Sequence, residues 1–78
     1  MIKFEVGKSY ECTDSGFDPI TVIRRTPKMI VVKNSSGDQW RMLIRVRSGK
    51  QGITEYCIDS SYPKGWRHVF EYSAEWET

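Results

Sequence analysis

Residues 20–47 read ITVIRRTPKMIVVKNSSGDQWRMLIRVR, and the periodicity of this stretch decides the fold. From Trp40 to Val46 the even positions are Trp40, Met42, Ile44 and Val46, with Arg41, Arg45 and Arg47 among the odd ones. Strict alternation over such a length is the pattern of a β-strand with one face on a core. Between Val32 and Trp40 lies Asn34-Ser35-Ser36-Gly37-Asp38, which suits a hairpin loop made of a type I turn with glycine in the left-handed bulge position. That loop sets Val32 against Trp40 and Ile30 against Met42, so the inward residues of both strands share a side. A loop one residue shorter would set Val32 against Arg41 and mix the faces. On the outer face the same register pairs Val31 with Arg41, Met29 with Leu43 and Lys33 with Gln39. An apolar group, joined by Ile23, then stands among Arg41, Arg45 and Lys33, and such a patch is either covered or used.

The chain has 78 residues, enough for a single domain (residues 1–78) whose hydrophobic core is small. A marginal core of this size favours a compact barrel or a dimer. Aromatic residues at 13% and charged residues at 28% are globular values, and no segment is biased enough to be disordered. The N-terminal Met-Ile-Lys-Phe-Glu lacks the apolar run of a signal peptide, and no stretch approaches a membrane span. The expected setting is therefore the cytoplasm, with no membrane partner. There Cys12 and Cys57 are expected as buried or semi-buried free thiols, since two cysteines and one histidine make no zinc site at these spacings. No cofactor is expected.

Outside the central stretch, Ile2, Phe4, Val6, Tyr10 and Cys12 keep even parity, with Gly7-Lys8 as a turn before a first strand at Ser9 to Thr13. A loop rich in turn formers, Asp14 to Pro19, precedes a second strand at Ile20 to Arg25. Pro27 sits in the connection to the third, where its missing N–H does no harm. After Val46, Ser48-Gly49-Lys50-Gln51-Gly52 leads into a strand at Ile53 to Asp59, with Tyr56 and Ile58 expected inward. Tyr62-Pro63-Lys64-Gly65 suits a type I turn. Trp66, His68, Phe70, Tyr72, Ala74 and Trp76 then alternate with more polar positions, which favours a last strand over a helix. The fold expected from these elements is all-β, a five- to six-stranded antiparallel barrel of SH3-like form, with an OB-like barrel second.

Two resemblances accompany this reading. Phe4-Glu5-Val6-Gly7-Lys8-Ser9-Tyr10 resembles the opening of many small SH3-like barrels. Taken with Val22-Ile23-Arg24-Arg25-Thr26-Pro27-Lys28, it is also similar to a loose group of small uncharacterised proteins of gut Gram-positive bacteria and their mobile elements, which share F-x-V-G-K-x-Y and a later V-x-x-R-T-x-K. The resemblance covers about the first third of the chain. It implies a small β-rich cytoplasmic protein and supplies no activity.

Catalytic chemistry is not expected. The one imidazole, His68, has inward parity between Trp66 and Phe70 and reads as a packing residue. Glu55, Asp59, Glu71 and Glu75 have the outward spacing of solvated faces and cross-strand ion pairs. Charge is the strongest lead. Residues 24–50 hold Arg24, Arg25, Lys28, Lys33, Arg41, Arg45, Arg47 and Lys50 against Asp38 alone, while the segments on either side are net acidic. Small barrels bind nucleic acid by tracking its backbone with cations, which makes Arg25, Lys28, Lys33, Arg41, Arg45 and Arg47 the candidate nucleic-acid contacts. The alternative uses Met29, Val31 and Leu43 as the apolar centre of an interface rimmed by arginine, with an acidic protein or a second copy as partner. A third reading has the outward arginines neutralised internally by the carboxylates of neighbouring strands.

Overall fold

The computed structural model describes residues 1–12, 18–59 and 70–78. These form β1 (Ser9–Cys12), β2 (Ile20–Arg25), β3 (Met29–Lys33), β4 (Gln39–Leu43), β5 (Arg45–Gly49), β6 (Gly52–Asp59) and β7 (Phe70–Glu77). All strand pairings are antiparallel, in one seven-stranded sheet of order β4-β3-β2-β1-β7-β6-β5. The all-β expectation holds. The expected turn at Tyr62-Pro63-Lys64-Gly65, the inward parity expected of Trp66 and His68, and most of the loop before Pro19 lie outside the described residues.

The β3–β4 hairpin has the register its loop dictates: Val32 opposite Trp40, Ile30 opposite Met42, Val31 opposite Arg41, Met29 opposite Leu43 and Lys33 opposite Gln39. Asn34 N–H donates to the Asp38 carbonyl at 3.1 Å, and Gly37 N–H to the Asn34 carbonyl at 3.1 Å. The Asn34 side chain accepts from the Ser36 and Asp38 amides, the local bonding that favours asparagine at a turn. Gly37 takes φ +86° and has open space where a Cβ would stand. A Gly37→Ala change therefore meets only a backbone penalty, about 1–2 kcal/mol, to be read as a shifted urea midpoint with an unchanged slope.

Parity then builds the core. Ile20, Val22, Ile30 and Val32 are fully buried, and Phe4, Tyr10, Cys12, Met42, Cys57, Phe70, Tyr72 and Ala74 join them. Cys12 on β1 and Cys57 on β6 both stand opposite Tyr72 of β7. Strands two apart are separated by about 9.5 Å, beyond the span of a disulfide, and both thiols are free and buried.

Among the described residues hydrogen bonding does not close the sheet into a barrel, and the strands number seven rather than five or six. The stretch from Trp40 to Val46 is divided at Ile44, whose N–H bonds the Lys28 carbonyl at 2.8 Å. β4 is held to β3 and β5 to β6, so the two outermost strands of the sheet are consecutive in the chain, joined through one residue. Val46 has inward parity and stands opposite the buried Glu55, yet is 57% exposed on the edge strand. Inward parity on β6 also falls differently from the expectation: Cys57 is fully buried, while Tyr56 and Ile58 are half-buried. Val6, expected to share the parity of Phe4, is exposed, since the chain turns there into the positive-φ Gly7.

β7 contributes a second irregularity. Between its pairings with β1, Tyr10 opposite Glu77 and Cys12 opposite Tyr72, β7 carries more residues than β1, so the alternation breaks and Tyr72, Ser73 and Ala74 are buried in succession. β7 pairs β6 only from Tyr56 to Asp59. The N-terminal segment takes the vacated side of β6: Ile2 N–H donates to Ile53 O at 2.8 Å, and Glu55 N–H donates to Ile2 O at 2.9 Å.

Candidate functional site

Between Val22 opposite Val32 and Arg24 opposite Val31, the β2–β3 register shifts by one residue at Ile23. A β-bulge of this kind sets two residues against one and reverses the facing of everything beyond it. Arg24 thereby stands on the outer face beside Val31, and Arg25 turns to the inner side opposite the fully buried Ile30.

There Arg25 meets Glu55. Its guanidinium donates to both carboxylate oxygens, Nη1 to Oε1 at 2.8 Å and Nη2 to Oε2 at 3.0 Å, and Nη1 also donates to the Phe4 carbonyl at 2.7 Å. Phe4 N–H donates to Glu55 Oε1 at 2.8 Å. Glu55 is 4% exposed. Burial opposes its ionisation, but the hydrogen bonds from Arg25 and the Phe4 amide, with the charge of Arg25, outweigh that and hold its carboxyl below the usual glutamate value. Arg25 is thus a structural clamp between β2, β6 and the N-terminal segment. Arg25, expected as a nucleic-acid contact, is thus placed in an ion pair, and Glu55 and Asp59, expected outward and solvated, are buried.

Arg47 is also engaged. It forms a two-pronged pair with Glu71, at 2.6 and 2.9 Å, and its guanidinium carbon lies 4.2 Å from the Tyr56 ring centroid, within cation–π range. Glu75 is exposed and accepts from the Thr54 hydroxyl at 2.9 Å. For Arg25 and Arg47, internal neutralisation is what the geometry contains.

The other candidates divide by strand. Lys33 and Arg41 come together with Met29, Val31 and Leu43 on the outer face of β2, β3 and β4, and Lys28 stands in the β2–β3 turn at its margin. Arg45 is on β5, which pairs with β6 at the opposite end of the strand order, although only Ile44 separates it from Leu43. Arg24, absent from the sequence-based set, takes the place on the face that Arg25 was expected to fill. Nothing in a run of two arginines marks which one follows a bulge.

Across the strands, Arg24, Val31 and Arg41 form one row, and Thr21, Lys33 and Gln39 another. Met29 pairs with Leu43, which is 64% exposed, and Ile23, Met29 and Val31 are half-buried. β2, β3 and β4 contain no aspartate or glutamate. Arg24, Lys28, Lys33 and Arg41 are exposed and have no ion-pair partner among the described residues. Directly opposed strand residues lie about 5 Å apart, so Arg24 and Arg41 flank Val31 across a span of about 10 Å. The face thus presents unneutralised cations around an aliphatic centre.

Burial, with the nearby Glu55 carboxylate, pushes the Cys57 thiol up to about 12, so it stays protonated and is poorly suited to act as nucleophile or metal ligand. Among the described residues no group of three or more histidine, cysteine, aspartate or glutamate side chains is placed to hold a metal ion. No described helix is long and apolar enough to cross a membrane. Comparison of the chain with known protein families, with curated proteins and with solved structures finds no match.

Proposed function

We propose that this chain is a non-enzymatic binding module, an SH3-like curled sheet in layout, that holds a nucleic-acid backbone on the outer face of β2, β3 and β4. The observation that carries the reading is a sheet face without a carboxylate on which Arg24, Lys33 and Arg41 stand exposed and unpaired among the described residues, with Lys28 at the margin. Backbone phosphates are the ligand chemistry such a face suits, because each cation that meets one releases a condensed counterion. Base stacking has no support there, since the outward residues of these strands include no aromatic ring. Contact is therefore through phosphates, without sequence preference.

The test is a fluorescence-anisotropy titration with labelled duplex and single-stranded oligonucleotides. If Lys28, Lys33, Arg24 and Arg41 each meet a phosphate, the log–log salt slope for duplex is about −3 to −4. Arg24→Glu combined with Arg41→Glu is expected to weaken binding at least about tenfold while leaving the thermal transition in place, because both side chains are exposed. Unchanged affinity in that variant, or no binding by the wild type at low salt, removes the proposal.

A second reading rests on the aliphatic centre. Leu43 is 64% exposed beside Met29, the composition of an interface core with an arginine rim. An acidic protein partner or a second copy would then cover the face. Association that tolerates salt and is lost in Leu43→Asp selects this reading over the first.

A further inference from the structure

The second candidate surface is the outer edge of β5. All five residues of β5 are exposed, and among the described residues its sheet pairing is with β6 alone. The alternation of the ladder tells which of its backbone groups are free. Glu55 N–H and Ile53 O are bonded to Ile2 on the far side of β6, so neither residue directs those groups at β5. Their partners across the ladder, Val46 opposite Glu55 and Ser48 opposite Ile53, therefore hold the non-hydrogen-bonded positions. In an antiparallel pair such residues direct N–H and C=O away from their partner. The Val46 and Ser48 amides make no backbone hydrogen bond outside the sheet ladders among the described residues.

Side chains on the two faces of this edge differ in kind. Arg45 and Arg47 lie on one face, with Tyr56 and Thr54 opposite them. Arg47 is shared with Glu71, whereas Arg45 is exposed and has no ion-pair partner among the described residues. On the other face, Val46 is 57% and Ile53 49% exposed. A second copy is a poor occupant. Two-fold antiparallel pairing of β5 centred on Val46 opposes Arg45 to Arg47, and centred on Arg47 it opposes that arginine to itself, and like charges directly opposite are destabilising; centred on Ser48 it sets Arg47 against Gly49 and gives neither arginine a carboxylate. Arginine on an edge strand blocks self-pairing in this way.

We infer that the free edge of β5 takes an extended peptide segment with alternating acidic and aliphatic residues, added to the sheet as a further strand. Its backbone bonds Val46 and Ser48, its carboxylates meet Arg45 and the outer side of Arg47, and its aliphatic side chains cover Val46 and Ile53. Main-chain pairing supplies the affinity and the alternation the selectivity, as in other strand-addition complexes.

A soluble, end-blocked peptide alternating glutamate and valine is the probe, with a lysine-valine peptide as control. The expected result is saturable binding of the acidic peptide, with amide exchange at Val46 and Ser48 slowed about tenfold or more and little change on β4. Val46→Pro removes an edge donor while sparing the β6 ladder, and is expected to abolish binding. Arg45→Glu is expected to weaken it about tenfold, and Arg24→Glu with Arg41→Glu to leave it unaltered. Binding that survives Val46→Pro, protection that appears on β4 instead, equal binding of the lysine-valine peptide, or the same β5 protection produced by an oligonucleotide would each overturn the inference. If Val46→Pro does not fold, the exchange pattern of the wild type decides alone.

Discussion

Replacing Glu55 with glutamine is expected to destabilise the domain by about 3 kcal/mol, the low end of the range for removing one partner of a buried ion pair. The low end applies because the Arg25 side chain keeps 21% of its exposure and water can solvate it in part. A domain of 78 residues has a total stability of about 4–12 kcal/mol, so the loss is a large fraction of it. Urea denaturation followed by tryptophan fluorescence measures it, and a loss below about 1 kcal/mol would show that the pair behaves as a surface one. The pH dependence has a definite sign. The Glu55 carboxyl is held below its ordinary value of 4.5 in the folded chain. Its stabilising contribution is complete above that ordinary value and disappears as the pH falls through the lower, folded one. Acidification should therefore lower the wild-type midpoint more than that of Glu55→Gln, and replacing the pair together, Arg25→Met with Glu55→Leu, should recover most of the loss.

Phe4→Ala carries the other large effect, about 3–5 kcal/mol. Phe4 belongs to no strand, yet it is 1% exposed and its ring meets Tyr10 edge-on, with centroids 4.9 Å apart. Its amide and carbonyl are bonded to Glu55 and Arg25, and the neighbouring Glu5 N–H donates to the Tyr10 hydroxyl at 2.8 Å. Removing the ring empties a core site and loosens the segment that covers β6. Because Phe4→Ala and Glu55→Gln release the same segment, their combined cost should fall short of the sum. Additivity in a double-mutant cycle would mean that ring and clamp act independently.

The hairpin from Met29 to Leu43 was legible because turn chemistry and alternation agree: the Asn34 to Asp38 loop permits one register, and that register puts Ile30, Val32 and Met42 inside. The apolar group of Met29, Val31, Leu43 and Ile23 on the opposite face followed from the same parity. The candidate site was only partly legible. Arg41 and Lys33 stand where alternation puts them, whereas Arg25 does not, since one extra residue at Ile23 reverses its face. Parity counts residues along a strand and carries no mark of a bulge.

Local pattern by itself thus determined the all-β class, the β3–β4 register and a basic middle with Asp38 as its one carboxylate, all of which depend on neighbours in the chain. Tertiary structure alone decided which cations remain available. Arg25 and Glu55 are far apart in sequence and meet only because the bulge turns one inward and the N-terminal segment buries the other. Arg47 finds Glu71 through the pairing of β5, β6 and β7. Ion pairing depends on distance in space, and the seven-stranded order that sets those distances is a property of the whole chain.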